Sequence, residues 1–191
     1  GFVSNPNLKK VFDFHRGFDV YFDSPVEDTL TLSCIRTSWF GQLLMRLLRH
    51  QFNWNYENDC ARMNQEVVAW LDQNHAQRFF LYVHYIDPHI PYDPPERYRR
   101  EFAQDHGFAT FNERKRLVGI DLYDGEIRYT DDGLKELVEK LRELGVWENT
   151  LFVLTSDHGE EFFEHGVLGY GFSLYQEVVH VPLILRGPGV P

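Results

Sequence analysis

Cysteine is almost missing from this sequence. Cys34 and Cys60 are the two it has, too few for the disulfide scaffold of a small secreted module or for a thiolate zinc cage. Basic side chains are also in the minority: 19 lysines and arginines stand against 29 aspartates and glutamates, a net charge of −10. Sequence-independent nucleic-acid binding needs a basic face that displaces counterions from phosphates, so no nucleic-acid partner is expected. An anionic substrate stays admissible, because a bound cation reverses the local sign of the field. No apolar run approaches the roughly 18 residues of a spanning helix, and no membrane segment is expected. A signal-peptide pattern, an internal repeat and a low-complexity tract are likewise not visible.

What is present suits one globular domain over 1–191, with no second domain. Hydrophobic residues make up 43% and charged ones 25%, with aromatics at a rich 16%, enough apolar side chain to fill a core and to exclude long disorder. The chain opens on "GFVSNPNLKK" without an initiator Met and stops on "RGPGVP", so both ends are expected to be internal to something longer.

Periodicity organises the chain. The start, to about Asp23, reads as a loop with short extended pieces. Residues 34–50, "CIRTSWFGQLLMRLLRH", place Ile35, Trp39, Leu43 and Leu47 at near-helical spacing, the pattern of a packed amphipathic helix. A second helix is expected over 59–73. "RFFLYVHYI" (78–86) is a continuous aromatic and β-branched run too short for a helix, and it predicts a strand buried on both faces. "DPHIPYDPPERY" follows, and its four prolines predict a rigid extended loop. From about Glu113 to Leu144 an apolar stripe of Leu117, Ile120, Tyr123, Ile127, Leu134, Leu137, Leu141 and Leu144 predicts a long helix, which Gly125 and Gly133 weaken near "YTDDG". Asp124, Glu126, Asp131 and Asp132 then form its wet face. "TLFVLT" (150–155) and "VPLILRG" (181–187) read as further buried strands. Apolar strands alternating with helices predict an α/β fold with a mostly parallel sheet.

In such sheets ligands gather beyond the carboxyl ends of the strands. Two strands end in unusual loops, and if both run the same way, His89, Asp157, His158 and His165 face one crevice. The stretch "FVLTSDHGEEFFEHG" (152–166) holds four acids and two histidines. Asp157 and His158 would point to opposite faces of a regular strand, so to bind one ion they must lie past it, where Gly159 lets the backbone turn. A carboxylate oxygen beside an imidazole nitrogen suits Mn²⁺, Zn²⁺ or Fe better than Mg²⁺ or Ca²⁺. Taken alone, "SDHGEE" reads first as a solvated polar loop and second as a ligand pair. His89, between prolines, either fills its loop by hydrogen bonding or is held still as a donor to a reacting oxygen. His84, inside the strand, reads as a satisfied core residue.

The blocks "FFLYVHYIDPHIPYDPPERY", "YDGEIRYTDDGLKELVEKLRELGVWENTLFVLTSDHGEEFFEHG" and "SLYQEVVHVPLILRGPG" resemble consecutive blocks of the sulfatase family, within the alkaline-phosphatase-like superfamily. The opening residues are similar to the segment that follows the nucleophile region in bacterial members, and residues 24–60 match least. The resemblance implies an alkaline-phosphatase-like sheet with helices on both faces, incomplete here, from the central to C-terminal portion of the catalytic domain. It implies a metal-dependent hydrolase of sulfate esters, with phosphodiester or phosphonate ester hydrolysis, or a non-catalytic relative, as alternatives.

Carried over residue by residue, Asp157 and His158 match the second pair of ligands of one divalent cation. Many sulfatases place Asp-Asn there and use Ca²⁺, whereas Asp-His is similar to the phosphonate hydrolase branch. His89 matches the histidine that contacts the transferred group or its leaving oxygen. His165 lies in the loop that approaches the substrate. Where many arylsulfatases carry a lysine and a histidine near "FVSN", this chain has Val3 and Asn5, and Tyr170 replaces a second lysine. Asn5, Tyr170 and His165 are therefore expected to contact substrate as neutral donors. The family's nucleophile, a formylglycine formed within C/S-x-P/A-x-R, has no counterpart: Cys34 heads "CIRTS", which lacks both the Pro/Ala and the Arg. The chain alone is not expected to turn over a substrate. The resemblance implies a small-molecule or glycan sulfate ester as partner. Family members are often periplasmic, secreted or lysosomal, and nothing in these residues selects a compartment.

Overall fold

The computed structural model describes residues 1–23, 59–107 and 109–190. The helix expected over 34–50, with Cys34, lies outside the described residues. The chain divides into two compact units, Gly1–His89 and Ile90–Pro191.

The first unit is built on a parallel three-stranded sheet. Strand β1 (Phe2–Val3) lies between β2 (Phe22–Asp23) and β3 (Val83–His84), with Phe2 opposite both Phe22 and Val83. Two 3₁₀ turns, Pro6–Leu8 and Lys10–Phe12, carry the chain from β1 towards β2. Helix α1 (Asp59–Asn74) covers the sheet. Cys60, Met63, Asn64, Val67 and Leu71 are fully buried, the three-and-four spacing of one helix face. Each large apolar member contributes about 1.5–3 kcal/mol by leaving water. Asn64, also buried, accepts a 2.5 Å hydrogen bond from the Tyr85 hydroxyl, which removes most of the cost of hiding an amide.

The strand expected over 78–86 is paired only at Val83–His84. Its flanks are not buried on both faces: Phe80 is 76% exposed and Tyr82 is exposed too. An apolar run signals burial on average, but in this unit the partner strands are two residues long and cover little of it. His84 is half-buried rather than a core residue.

The second unit is organised by α3 (Phe111–Glu143), which starts at a reciprocal capping box between Thr110 and Glu113. The long helix expected from the apolar stripe is present, and it runs unbroken past "YTDDG" despite the two glycines. Its buried line is Gly125, Tyr129, Gly133, Leu137 and Leu141, every fourth residue, while Ile127 faces solvent. Here the glycines belong to the packing. Along this line Tyr92 meets Tyr123, Pro94 meets Gly125, and Tyr98, in helix α2 (Glu96–Phe102), meets Tyr129. A Cβ on Gly125 would lie 2.9 Å from Pro94 Cγ and 3.3 Å from the Tyr98 carbonyl oxygen. Gly125→Ala gains about 1 kcal/mol of helix propensity and incurs roughly 1–3 kcal/mol of overpacking. A net loss of about 1 kcal/mol is therefore expected, read as a lower urea midpoint, and Gly125→Val should lose more.

The acids expected on the wet face of α3 do not all face water. Glu126 is buried, and its carboxylate accepts the Asp93 amide at 2.6 Å. Asp132 joins Arg97, Arg128 and the Tyr98 hydroxyl, tying α2 to α3. The prolines before α2 do more than hold a loop, because Pro95 occupies the N-cap position from which the helix springs.

Past the Trp147–Asn149 turn, β4 (Phe152–Thr155) pairs with β7 (Leu183–Arg186), antiparallel, with Val153 opposite Leu185. Neither strand is the buried parallel strand expected. Burial alternates along β4, and Leu183, Ile184 and Leu185 are exposed. Arg186 fixes this end by donating to the Trp147 carbonyl at 2.7 Å. A small hairpin of β5 (Glu161–Phe162) and β6 (Leu168–Gly169) follows β4, and the one-turn helix α4 (Gln176–Val179) precedes β7. Among the described residues no helix is long and apolar enough to cross a membrane.

Candidate active site

The carboxyl end of β4 is shaped by bonds local to the turn. Ser156 Oγ donates to the His158 carbonyl oxygen at 2.6 Å, and Asp157 Oδ1 accepts from the His158 amide at 3.1 Å. Such short-range polar bonds take the chain out of strand geometry. Neighbours that would diverge on a strand therefore come together, with Asp157 Oδ2 3.8 Å from His158 Nε2. His158 Nδ1 lies 2.7 Å from the Gly159 carbonyl oxygen. A carbonyl only accepts, so Nδ1 carries a proton, and in the neutral imidazole Nε2 is the nitrogen with the free lone pair. The other side of the pair is closed by Tyr170, whose ring stacks on His158 with centroids 3.7 Å apart. Burial, with the charges of Glu160 and Asp157, pushes the Tyr170 hydroxyl above its ordinary pKa, keeping it a neutral donor.

Gly159 is required for a reason other than the one the sequence suggests. Its φ is not in the left-handed region. Instead a Cβ there would lie 2.1 Å from the Glu177 carbonyl oxygen, and its amide donates to the Val178 carbonyl at 2.7 Å. The turn is pressed against α4 where only a hydrogen fits.

This donor set fits a divalent cation. One carboxylate oxygen and one imidazole nitrogen 3.8 Å apart are spanned by two bonds of about 2.1 Å. The ring's second nitrogen is anchored on a carbonyl, as in metal-ligating histidines generally. Among the described residues no group of three or more His, Cys, Asp or Glu side chains is placed to hold a metal ion. The pair alone would supply two of the four or more ligands that a complete site takes.

His165 is held by groups that the sequence reading left without individual roles. Its Nδ1 lies 3.4 Å from Glu161 Oε1 and 3.9 Å from Glu177 Oε2, and its ring stacks on Tyr175 at 3.5 Å. Glu161 is 1% exposed. Its carboxylate accepts the His165 amide at 3.1 Å and the Ser173 hydroxyl at 2.8 Å, so it pins the loop from two sides. Glu160, also buried, lies by Tyr92, whose hydroxyl is pushed up by burial and by that carboxylate. Tyr123 packs edge to face against both Tyr92 and Phe162, which are tilted 37° to one another. The density of acids in "GEEFFEHG" was the signal available for Glu161; nothing in the pattern marked Ser173, Tyr175 or Glu177.

In the first unit, Asn5 and His89 follow the carboxyl ends of the adjacent parallel strands β1 and β3. Ser4 Oγ links these ends, donating to the His84 carbonyl at 3.0 Å and accepting from the Ile86 amide at 2.7 Å. Asn5 Oδ1 accepts the Asn7 amide at 2.9 Å, which commits its oxygen and leaves the NH₂ end to donate. Asp87 Oδ2 accepts the Cys60 amide at 3.2 Å, anchoring the loop that leads to half-buried His89 on the amino end of α1, where a carboxylate is favoured.

The family model described as Sulfatase matches residues 2–191. Among curated relatives, arylsulfatase K of Canis lupus familiaris is 43% identical over 61 residues, covering 32% of this chain and 11% of that protein. The choline-sulfatase of Rhizobium meliloti (strain 1021) is 27% identical over 140 residues, covering 72% and 23%. The chain thus spans less than a third of the length of these relatives. Among solved structures, the phosphonate monoester hydrolase of Agrobacterium radiobacter superposes with a TM-score of 0.66 at 21% identity, covering 97% of this chain and 47% of that one. At that identity the likeness shows the fold, which is the α/β, alkaline-phosphatase-like one expected.

Proposed function

This chain belongs to the sulfatase family, and on that premise we propose that the complete protein is a metal-dependent hydrolase of sulfate esters to which these residues contribute part of the metal shell and part of the substrate contacts. One observation carries the reading: directly after β4, Asp157 Oδ2 and His158 Nε2 lie 3.8 Å apart, with the imidazole's other nitrogen anchored on the Gly159 carbonyl. A divalent cation held there, Ca²⁺ as in many family members or Mn²⁺ or Zn²⁺ as the nitrogen donor favours, would supply positive charge to the oxygens of the nucleophile and the ester. His89 gives a proton to the leaving oxygen as its bond to sulfur breaks, so that an alcohol departs rather than an alkoxide. Tyr170, His165 and Asn5 donate hydrogen bonds to the remaining ester oxygens in place of lysines. The nucleophile is a formylglycine contributed by sequence other than these residues.

A second reading, hydrolysis of phosphodiesters or phosphonate monoesters, is favoured by the Asp157–His158 pair itself and by Tyr170 standing where a lysine would be. In-line displacement at phosphorus has the same needs. The test is to assay the complete protein with aryl sulfate, aryl phosphodiester and aryl phosphonate esters, before and after chelation. Metal-restored hydrolysis with aryl sulfate as the best substrate is expected. A preference for the phosphorus esters would select the second reading, and chelator-resistant turnover would overturn both.

A further inference from the structure

From 156 through 182 the sequence holds five acids, Asp157, Glu160, Glu161, Glu164 and Glu177, and no lysine or arginine. The guanidinium that reaches this stretch from α3, Arg116, is taken up by Glu164 at 3.5 Å. Between these acids the loop turns large apolar side chains outward. Tyr170 is stacked on His158, Ser173 is bonded to Glu161 and Tyr175 is stacked on His165. The residues alternating with them, Phe172 and Leu174, are 81% and 87% exposed. Scattered exposed apolar residues are ordinary. Two on one loop, with Ser173 between them bonded to Glu161 and with Tyr170 and Tyr175 on either side stacked on His158 and His165, form a rim beside the candidate site.

We propose that Phe172 and Leu174 form the leaving-group rim of the site, selecting esters of uncharged aromatic or aliphatic alcohols and rejecting those whose alcohol part carries further sulfates or carboxylates. The inference rests on the ester-hydrolase reading above and deepens it. The ester's own negative charge meets the cation, but any further anion would face carboxylates with no cationic side chain of this stretch to receive it, and like charges across an interface are strongly unfavourable. An uncharged ring or alkyl group would instead cover two side chains now in water, and such apolar contacts discriminate by about tenfold or more each.

The complete protein is to be assayed with 2-naphthyl sulfate and with a polysulfated, carboxylated disaccharide. Binding of inert 2-naphthalenesulfonate is measured by calorimetry alongside. The naphthyl ester should be preferred by about a hundredfold in kcat/KM. Phe172→Ala with Leu174→Ala should raise its KM about a hundredfold and change kcat little. Phe172→Lys should improve the disaccharide relative to the naphthyl ester about tenfold, an effect that salt erodes. Preference for the disaccharide, or an unchanged naphthyl KM in the double variant, overturns the proposal. So does a double variant that loses a dimer seen by light scattering while keeping its KM, which would make the patch a contact between copies. If no ester is turned over yet naphthalenesulfonate binds in a Phe172-dependent way, the hydrolase reading fails and the rim stands. Binding and turnover both absent remove the two together.

Discussion

Asp157→Ala in the complete protein is expected to lower hydrolysis by about a thousandfold or more and to strip the bound metal, with little change in thermal stability. A cation's charge stabilisation is worth several kcal/mol in the transition state, and each 1.36 kcal/mol is a factor of ten in rate. The folded state has little at stake: the Asp157 side chain is 69% exposed, and it accepts from the amide and lies beside the ring of its own neighbour, His158. Exposed substitutions of that kind usually shift stability by no more than about 0.5 kcal/mol. A structural acid would show the opposite signature, a lower melting point with proportionate activity. His158→Asn separates the ion's identity from its presence. Trading an imidazole nitrogen for an amide oxygen should shift preference towards Ca²⁺, which takes oxygen ligands, and away from Zn²⁺ or Mn²⁺. Metal content measured by elemental analysis and activity after reconstitution with each ion would check both. Full activity and an unchanged metal complement in Asp157→Ala would remove the basis of the proposed function.

What sequence reasoning recovers here depends on whether a residue's role is local. The Asp157–His158 turn was legible because its determinants are contiguous: a strand-forming run, then Ser156, two ligand-type side chains and a glycine. Helices α1 and α3 were legible because periodicity is a local property. Pairing direction is not local, and "VPLILRG" reads alike whether its partner runs parallel or antiparallel; the structure sets it antiparallel to β4. The glycines of α3 misled in a specific way. Propensity counts Gly125 and Gly133 against the helix, yet both lie on its buried line, and Pro94, contacting Gly125 from 31 positions earlier, was invisible to any window. Glu161 was hidden for the same reason. An acid in an acid-rich loop looks solvated until Ser173 and the His165 amide are seen to close on its carboxylate. Asn5 was assigned by resemblance, whereas His89 was marked first by its proline-flanked place past a strand, and the fold contributes their common position beyond adjacent parallel strands, the place where such sheets gather ligands.

Gly159→Ala should be the most disruptive single-methyl change in the second unit. The added carbon would overlap the Glu177 carbonyl oxygen, 2.1 Å away. That atom is backbone, so relief requires either the turn or α4 to move. Moving either breaks the 2.7 Å bond from the Gly159 amide to the Val178 carbonyl, which leaves polar groups beside buried Val178 unpaired, at about 1–3 kcal/mol, on top of about 1–3 kcal/mol of overpacking. Both sides of the site would feel it. The Gly159 carbonyl holds the His158 tautomer, and Glu177 on α4 faces His165. Loss of the group orienting a ligating histidine typically weakens metal affinity by about 10–100-fold. Expected, then, are a stability loss of several kcal/mol, weaker metal retention and activity reduced further than either alone would cause. Gly166→Ala is the matched control. It lies in the same loop at φ +87 with nothing within 4 Å of the new carbon, so only backbone strain of about 1–2 kcal/mol applies and metal retention should be unchanged. Equal effects of the two substitutions on metal retention would mean that α4 does not brace the metal pair, and that loop stability alone governs the site.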